Sequence, residues 1–171
     1  MDSREQRGRF TVLDGAALVM GSAIASLHVL RVMRSGLSIA GWAMMVLTFT
    51  WLAVTATGPF LYVARRYIRR PPGYPAIGDR LWALLGLPWL LTAVLQSLSL
   101  GDRRDALVSI TLMGGLAVAS LIAVVEVWST WVMVPPEQAE EVEAGPWTSR
   151  VGLILAIAWP IQCGLGMVVL G

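Results

Sequence analysis

The sequence predicts an all-α integral membrane protein: one helical bundle of about five transmembrane helices, with its N-terminus in the cytoplasm. Three observations lead there. Apolar runs of about twenty residues or more recur along the chain, the length at which a helix crosses roughly 30 Å of hydrocarbon. Of the 171 residues, 56% are hydrophobic and 14% charged, with mean hydropathy +0.68, whereas a soluble domain carries about 25% charged residues. The charges also collect in short segments between the apolar runs. The most basic segment spans residues 64–80 and holds Arg65, Arg66, Arg69, Arg70 and Arg80.

The first span covers about residues 11–30, after a polar tail with Arg4, Arg7 and Arg9. Its basic start and Ala23-Ile24-Ala25 also fit a cleavable secretory signal. Asp14 interrupts the apolar run and the run continues past that point, which favours an uncleaved helix. The opening R-F-T-V-L-D-G-A-A-L-V, residues 9–19, resembles the start of small multi-pass membrane proteins of planctomycete-type bacteria. The resemblance covers about a dozen residues. It implies a bacterial source, carries no activity and assigns no functional residues; the expected location is the inner membrane.

The second span covers about 38–64, with Gly58-Pro59 near its end, where a proline is expected to kink the helix. The third covers about 81–100 and contains Pro88, the fourth about 106–134 up to Pro135-Pro136, and the fifth about 151–170. All five belong to one transmembrane domain, residues 1–171, in which no internal repeat is visible.

Five spans place the N-terminal tail, the 64–80 segment and the 137–150 segment on one side. That side holds nine arginines (4, 7, 9, 65, 66, 69, 70, 80 and 150) against four on the other (31, 34, 103 and 104). The arginine-rich side is therefore expected to be cytoplasmic. Tyr62, Tyr67, Trp82, Trp128 and Trp147 cluster at the same boundary, where amphipathic rings settle among headgroups. Trp51, Trp89 and Trp159 lie deeper and are expected to pack between helices.

Small residues at spacing four mark Ala17, Gly21 and Ala25; Gly115, Ala119 and Ala123; and Gly152 with Ala156. Such stripes let membrane helices approach closely, so spans one, four and five are expected to form the centre, covered by spans two and three.

Glu126 is the sharpest candidate site. It lies nine residues before Pro135, roughly 13 Å inside the helix end, on the same face as Ala119 and Ala123. An acid there faces the bundle interior and needs a partner or a proton. It reads either as a proton-linked carboxyl or ligand contact, or as a structural acid bonded to a neighbouring helix. Asp14 and Gln162 complete the candidate intramembrane polar set. Asp14 is expected to pair with an interfacial arginine, to favour the helix start through the macrodipole, or to approach Glu126. Gln162, with Thr48, Thr50, Thr55 and Thr57, either lines a polar path or makes interhelical and backbone hydrogen bonds. Arg65, Arg66, Arg69 and Arg70 are candidate contacts to anionic headgroups, each worth about 1 kcal/mol.

One histidine and one cysteine exclude most metal and thiol–imidazole chemistry, and there is no P-loop, G-x-G-x-x-G, H-E-x-x-H or G-x-S-x-G motif. No catalytic, cofactor or metal residues are expected, and the chain reads as a non-enzyme. The expected partners are membrane lipids and other membrane proteins or further copies of itself, not nucleic acid. Two functions remain open: a small subunit or scaffold of a membrane assembly, or a small oligomeric transporter or channel using Glu126.

Overall fold

A computed structural model describes residues 10–32, 39–69, 75–98, 103–133 and 147–170, with only the helix backbone described at 31–32, 39–40, 69, 130–133 and 161–170. The described residues form five long helices: α1 (Val12–Val32), α2 (Ile39–Val63), α3 (Ile77–Ser97), α4 (Arg104–Met133) and α5 (Trp147–Leu170). A six-residue π-helical turn, Ala64–Arg69, extends α2. Segments of α1, of α2 with its π-helical turn, of α3 and of α4 are long and apolar enough to cross a membrane: Val12–Leu30, Gly41–Ile68, Ile77–Ser97 and Arg104–Ser129.

Surface composition agrees with that length. Ile110, Met113, Val118, Leu121, Val124 and Val125 on α4 are each more than half exposed. A water-soluble monomer rarely leaves so continuous an apolar face bare, whereas hydrocarbon solvates it. The protein is a membrane-embedded helical bundle.

Two helices begin earlier than their apolar runs suggest. The third span, expected from residue 81, starts at Ile77, and the fifth, expected from 151, starts at Trp147. In both cases charged or hydroxyl residues that look like loop occupy the first turn and find partners inside the bundle.

The packing order also differs from the expected one. The helix at the centre is α3, which lies against α2, α4 and α5, while α1 packs mainly on α2. The small-residue stripes are contact faces, since Ala17, Ala25, Ala119 and Ala123 are all buried. They meet α2 and α3, however, rather than one another. A Cβ on Gly21 would strike Thr57 and the Ala53 carbonyl of α2, and one on Gly115 would press on Pro88 of α3. The expectation failed because α2 and α3 carry isolated glycines, not stripes. Gly86 of α3 receives the Thr55 carbonyl of α2, whose i+4 residue Pro59 has no N–H to bond it. Gly58 lies equally close to the backbone of Trp82. The core around these contacts contains Leu61, Trp82, Leu85 and Leu155, with Trp51 and Trp159 stacked at 6.1 Å between α2 and α5.

Candidate functional site

Because alternate helices run in the same direction, α1, α3 and α5 all begin at one end of the bundle, where α2 finishes. The π-helical turn at that finish carries four consecutive side chains of different fates. Arg66, Tyr67 and Ile68 are exposed, while Arg65 turns inward and is only 5% exposed.

Its guanidinium is held from three sides. Nε and Nη2 donate to Oδ1 of Asp14 on α1 at 3.2 and 3.0 Å. Nη1 donates to Oγ1 of Thr148 on α5 at 3.1 Å. The indole of Trp147 lies 5.5 Å from its central carbon, within cation–π range. Thr148 in turn hydrogen-bonds the carboxylate of Asp79 on α3. Asp14, Asp79, Thr148 and Ser149 are all buried.

Each acid is fixed by the way its helix starts. Thr11 and Asp14 form a reciprocal cap: Thr11 donates from its backbone N and its hydroxyl to Oδ2 of Asp14, at 2.9 and 3.0 Å, and the Asp14 N–H donates to the Thr11 hydroxyl at 3.4 Å. Asp79 reaches back in the same way to accept from the Ala76 N–H at 3.2 Å. On α5, Ser149 accepts from the N–H of Gly78 at 3.2 Å, which ties the starts of α3 and α5 together.

The charges in this knot nearly cancel. In formal terms two carboxylates and one guanidinium leave one negative charge; three converging helix N-termini each contribute roughly half a positive charge, and the end of α2 roughly half a negative one. Asp14 has four acceptor sites, and the four donors from Arg65 and Thr11 occupy them. The site is a closed electrostatic clamp, with no acceptor left on Asp14 for a ligand.

Comparison with family models, curated proteins and solved structures finds no match. Function must be read from the chain's own residues.

The candidate residues separate accordingly. Asp14 pairs with an arginine as expected, but with Arg65, which corrects the headgroup role expected for that arginine. Being buried against Asp14 and Thr148, Arg65 cannot reach lipid headgroups. Arg66 is exposed and free to do so. The Arg69 side chain, Arg70 and the Gln162 side chain lie outside the described residues. Glu126 is half-buried on α4 and does not join the clamp; its Oε2 is enclosed, with no hydrogen-bond partner among the described residues. Thr50, Thr55 and Thr57 bond back to carbonyls of their own helix at 2.7–2.8 Å instead of lining a path.

At the opposite end of α1, His28 links to α3. Its Nε2 lies 3.1 Å from the Trp89 carbonyl and its Nδ1 3.3 Å from Nε2 of Gln96. One tautomer, with the proton on Nε2, satisfies both. Among the described residues, no three His, Cys, Asp or Glu side chains are placed to hold a metal ion.

Asp79, Thr148 and Ser149 were not candidates from sequence. The available signal was positional: Thr11-x-x-Asp14, Ala76-x-x-Asp79 and Pro146-Trp147-Thr148-Ser149 are all helix-start patterns on the side that carries Arg65.

Proposed function

We propose that this membrane-embedded bundle works by association, as a non-enzymatic small subunit or scaffold of a bacterial inner-membrane assembly or homo-oligomer. The proposal includes the cytoplasmic placement of the end that carries Arg65. The observation that supports it most is the closure of the clamp. The buried charges are spent on joining α1, α2, α3 and α5. Beneath them the core residues are Leu61, Trp82, Leu85, Ala119 and Leu155. Transport or catalysis in a membrane relies on ionisable groups that face a pathway or substrate; here the pair nearest the helix ends faces itself.

A second reading, a small oligomeric transporter or channel, draws on Glu126, whose Oε2 is enclosed without a partner among the described residues. A carboxylate oxygen in that state suits a proton or a group supplied by another chain.

The deciding experiment is the mass and composition of the particle extracted in mild detergent from native membranes. Co-purification with several different polypeptides supports the subunit reading. A symmetric oligomer of this chain alone, whose membrane flux is lost in Glu126→Gln, supports the transporter reading and overturns the first.

A further inference from the structure

Next to the clamp lies a cavity of about 390 Å³, walled by Phe10, Leu18, Val54, Leu61, Trp82, Trp147, Val151 and Asp14. Four helices contribute to it. Along α2 the wall runs from Val54 to Leu61, and along α1 from Asp14 to Leu18 and beyond to Phe10. At 1.5 Å per residue the cavity therefore extends about 10 Å parallel to the helices. It starts level with the helix ends and reaches down into one leaflet. The Phe10 and Trp147 rings stand together at that mouth, 6.2 Å apart, and Trp82 meets Trp147 edge-on at 6.3 Å.

The wall chemistry selects the occupant. Among the described residues, Asp14 is the one ionisable group in the lining, and its four acceptor sites are already filled by Arg65 and Thr11. Trp82 has its indole N–H bound to the Val54 carbonyl at 2.7 Å. A hydrogen-bonding ligand would gain nothing from either group, and a cation would meet the Arg65 charge beside Trp147. A slender apolar body would gain contact along the whole length.

We infer that this slot is a binding site for a single lipid hydrocarbon chain, taken from the leaflet that surrounds the start of α1. The lipid is held by shape and apolar contact, its tail beside Leu18, Val54, Leu61 and Val151 and its headgroup end at Phe10 and Trp147. A smaller groove of about 270 Å³ between α1 and α2, lined by Ser26, Val29, Leu30, Met45, Val46 and Phe49, lacks the tryptophans and any contribution from α3 or α5. It serves as the internal control.

The test uses the full chain in amphipol, after detergent removal, with retained phospholipid quantified by mass spectrometry. Leu18→Trp fills the slot from a position already 38% exposed. It should lower occupancy at least ~10-fold, the change that ~1.4 kcal/mol of lost contact produces. Met45→Trp, in the control groove, should leave occupancy unchanged. As a second measurement on the native fold, one equivalent of a phospholipid with a brominated acyl chain should quench tryptophan emission. That quenching should fall in Trp147→Phe and persist in Trp42→Phe. Equal lipid retention in Leu18→Trp and Met45→Trp, or quenching insensitive to Trp147→Phe, would show annular lipid only and overturn the site. The subunit reading is untouched by either result, since it rests on the composition of the native particle.

Discussion

Gly78 and Gly152 meet backbone to backbone. A Cβ on Gly152 would occupy the space of the Gly78 carbonyl oxygen, and one on Gly78 would run into the Ser149 carbonyl. This contact brings α3 and α5 together at the level of the clamp, where Ser149 also accepts from the Gly78 N–H.

Gly152→Ala should therefore lower stability by about 1–3 kcal/mol, the usual cost of overpacking, because the obstructing atom is backbone and cannot rotate away. Gly114 provides the contrast, since nothing lies within 4 Å of its would-be Cβ. There alanine should be neutral or stabilising by up to ~1 kcal/mol through helix propensity. Thermal melts of both variants in one detergent read the difference, and equal melting temperatures would refute the close contact.

Asp14→Ala leaves the Arg65 guanidinium buried without its anion. Removal of one partner of a buried pair costs about 3–5 kcal/mol. The double variant Asp14→Ala/Arg65→Met removes both charges and should be more stable than Asp14→Ala alone. Unfolding by a graded detergent titration checks the order. Losses that simply add would mean that the two side chains do not interact.

Glu126→Gln should change stability by less than about 0.5 kcal/mol, because the enclosed oxygen has no hydrogen bond to lose. Ser120→Ala should cost about 0.6 kcal/mol or more, since Ser120 accepts the Trp159 indole N–H at 2.7 Å across α4 and α5. A larger loss at Glu126 than at Ser120 would reveal a partner for the acid.

The proposed orientation and inner-membrane location predict that Glu140→Cys, in a Cys163→Ser background, reacts with an impermeant maleimide only after that membrane is breached. Labelling of intact spheroplasts would reverse the topology.

The helical class and four of the membrane-length helices were readable from apolar run length, because the bilayer fixes that length directly. Helix starts at Ile77 and Trp147 were not. Polarity was taken to mark loop, while Asp79, Thr148 and Ser149 are polar and buried, satisfied by partners far away in sequence. The stripe at Gly115, Ala119 and Ala123 correctly marked a contact face. A stripe has no partner written into it, so the central position of α3 depended on single glycines, Gly78 and Gly86, that pattern-counting passes over. Arg65 shows the same limit. Four arginines in one short segment look alike in sequence, and only the partners on α1 and α5 single out Arg65 from its exposed neighbour Arg66.

The clamp also imposes a schedule on biogenesis. Asp14 lies 51 residues before Arg65, so the first helical hairpin can neutralise its own guanidinium as soon as α2 is made. Thr148 follows Arg65 by 83 residues. Until α5 is synthesised, Asp79 lacks its hydroxyl partner and the close-packing face at Gly78 stays bare. The contacts of Arg65 with Thr148 and of Gly78 with Ser149 therefore wait for α5, and a chain stalled before it leaves both groups short of a partner.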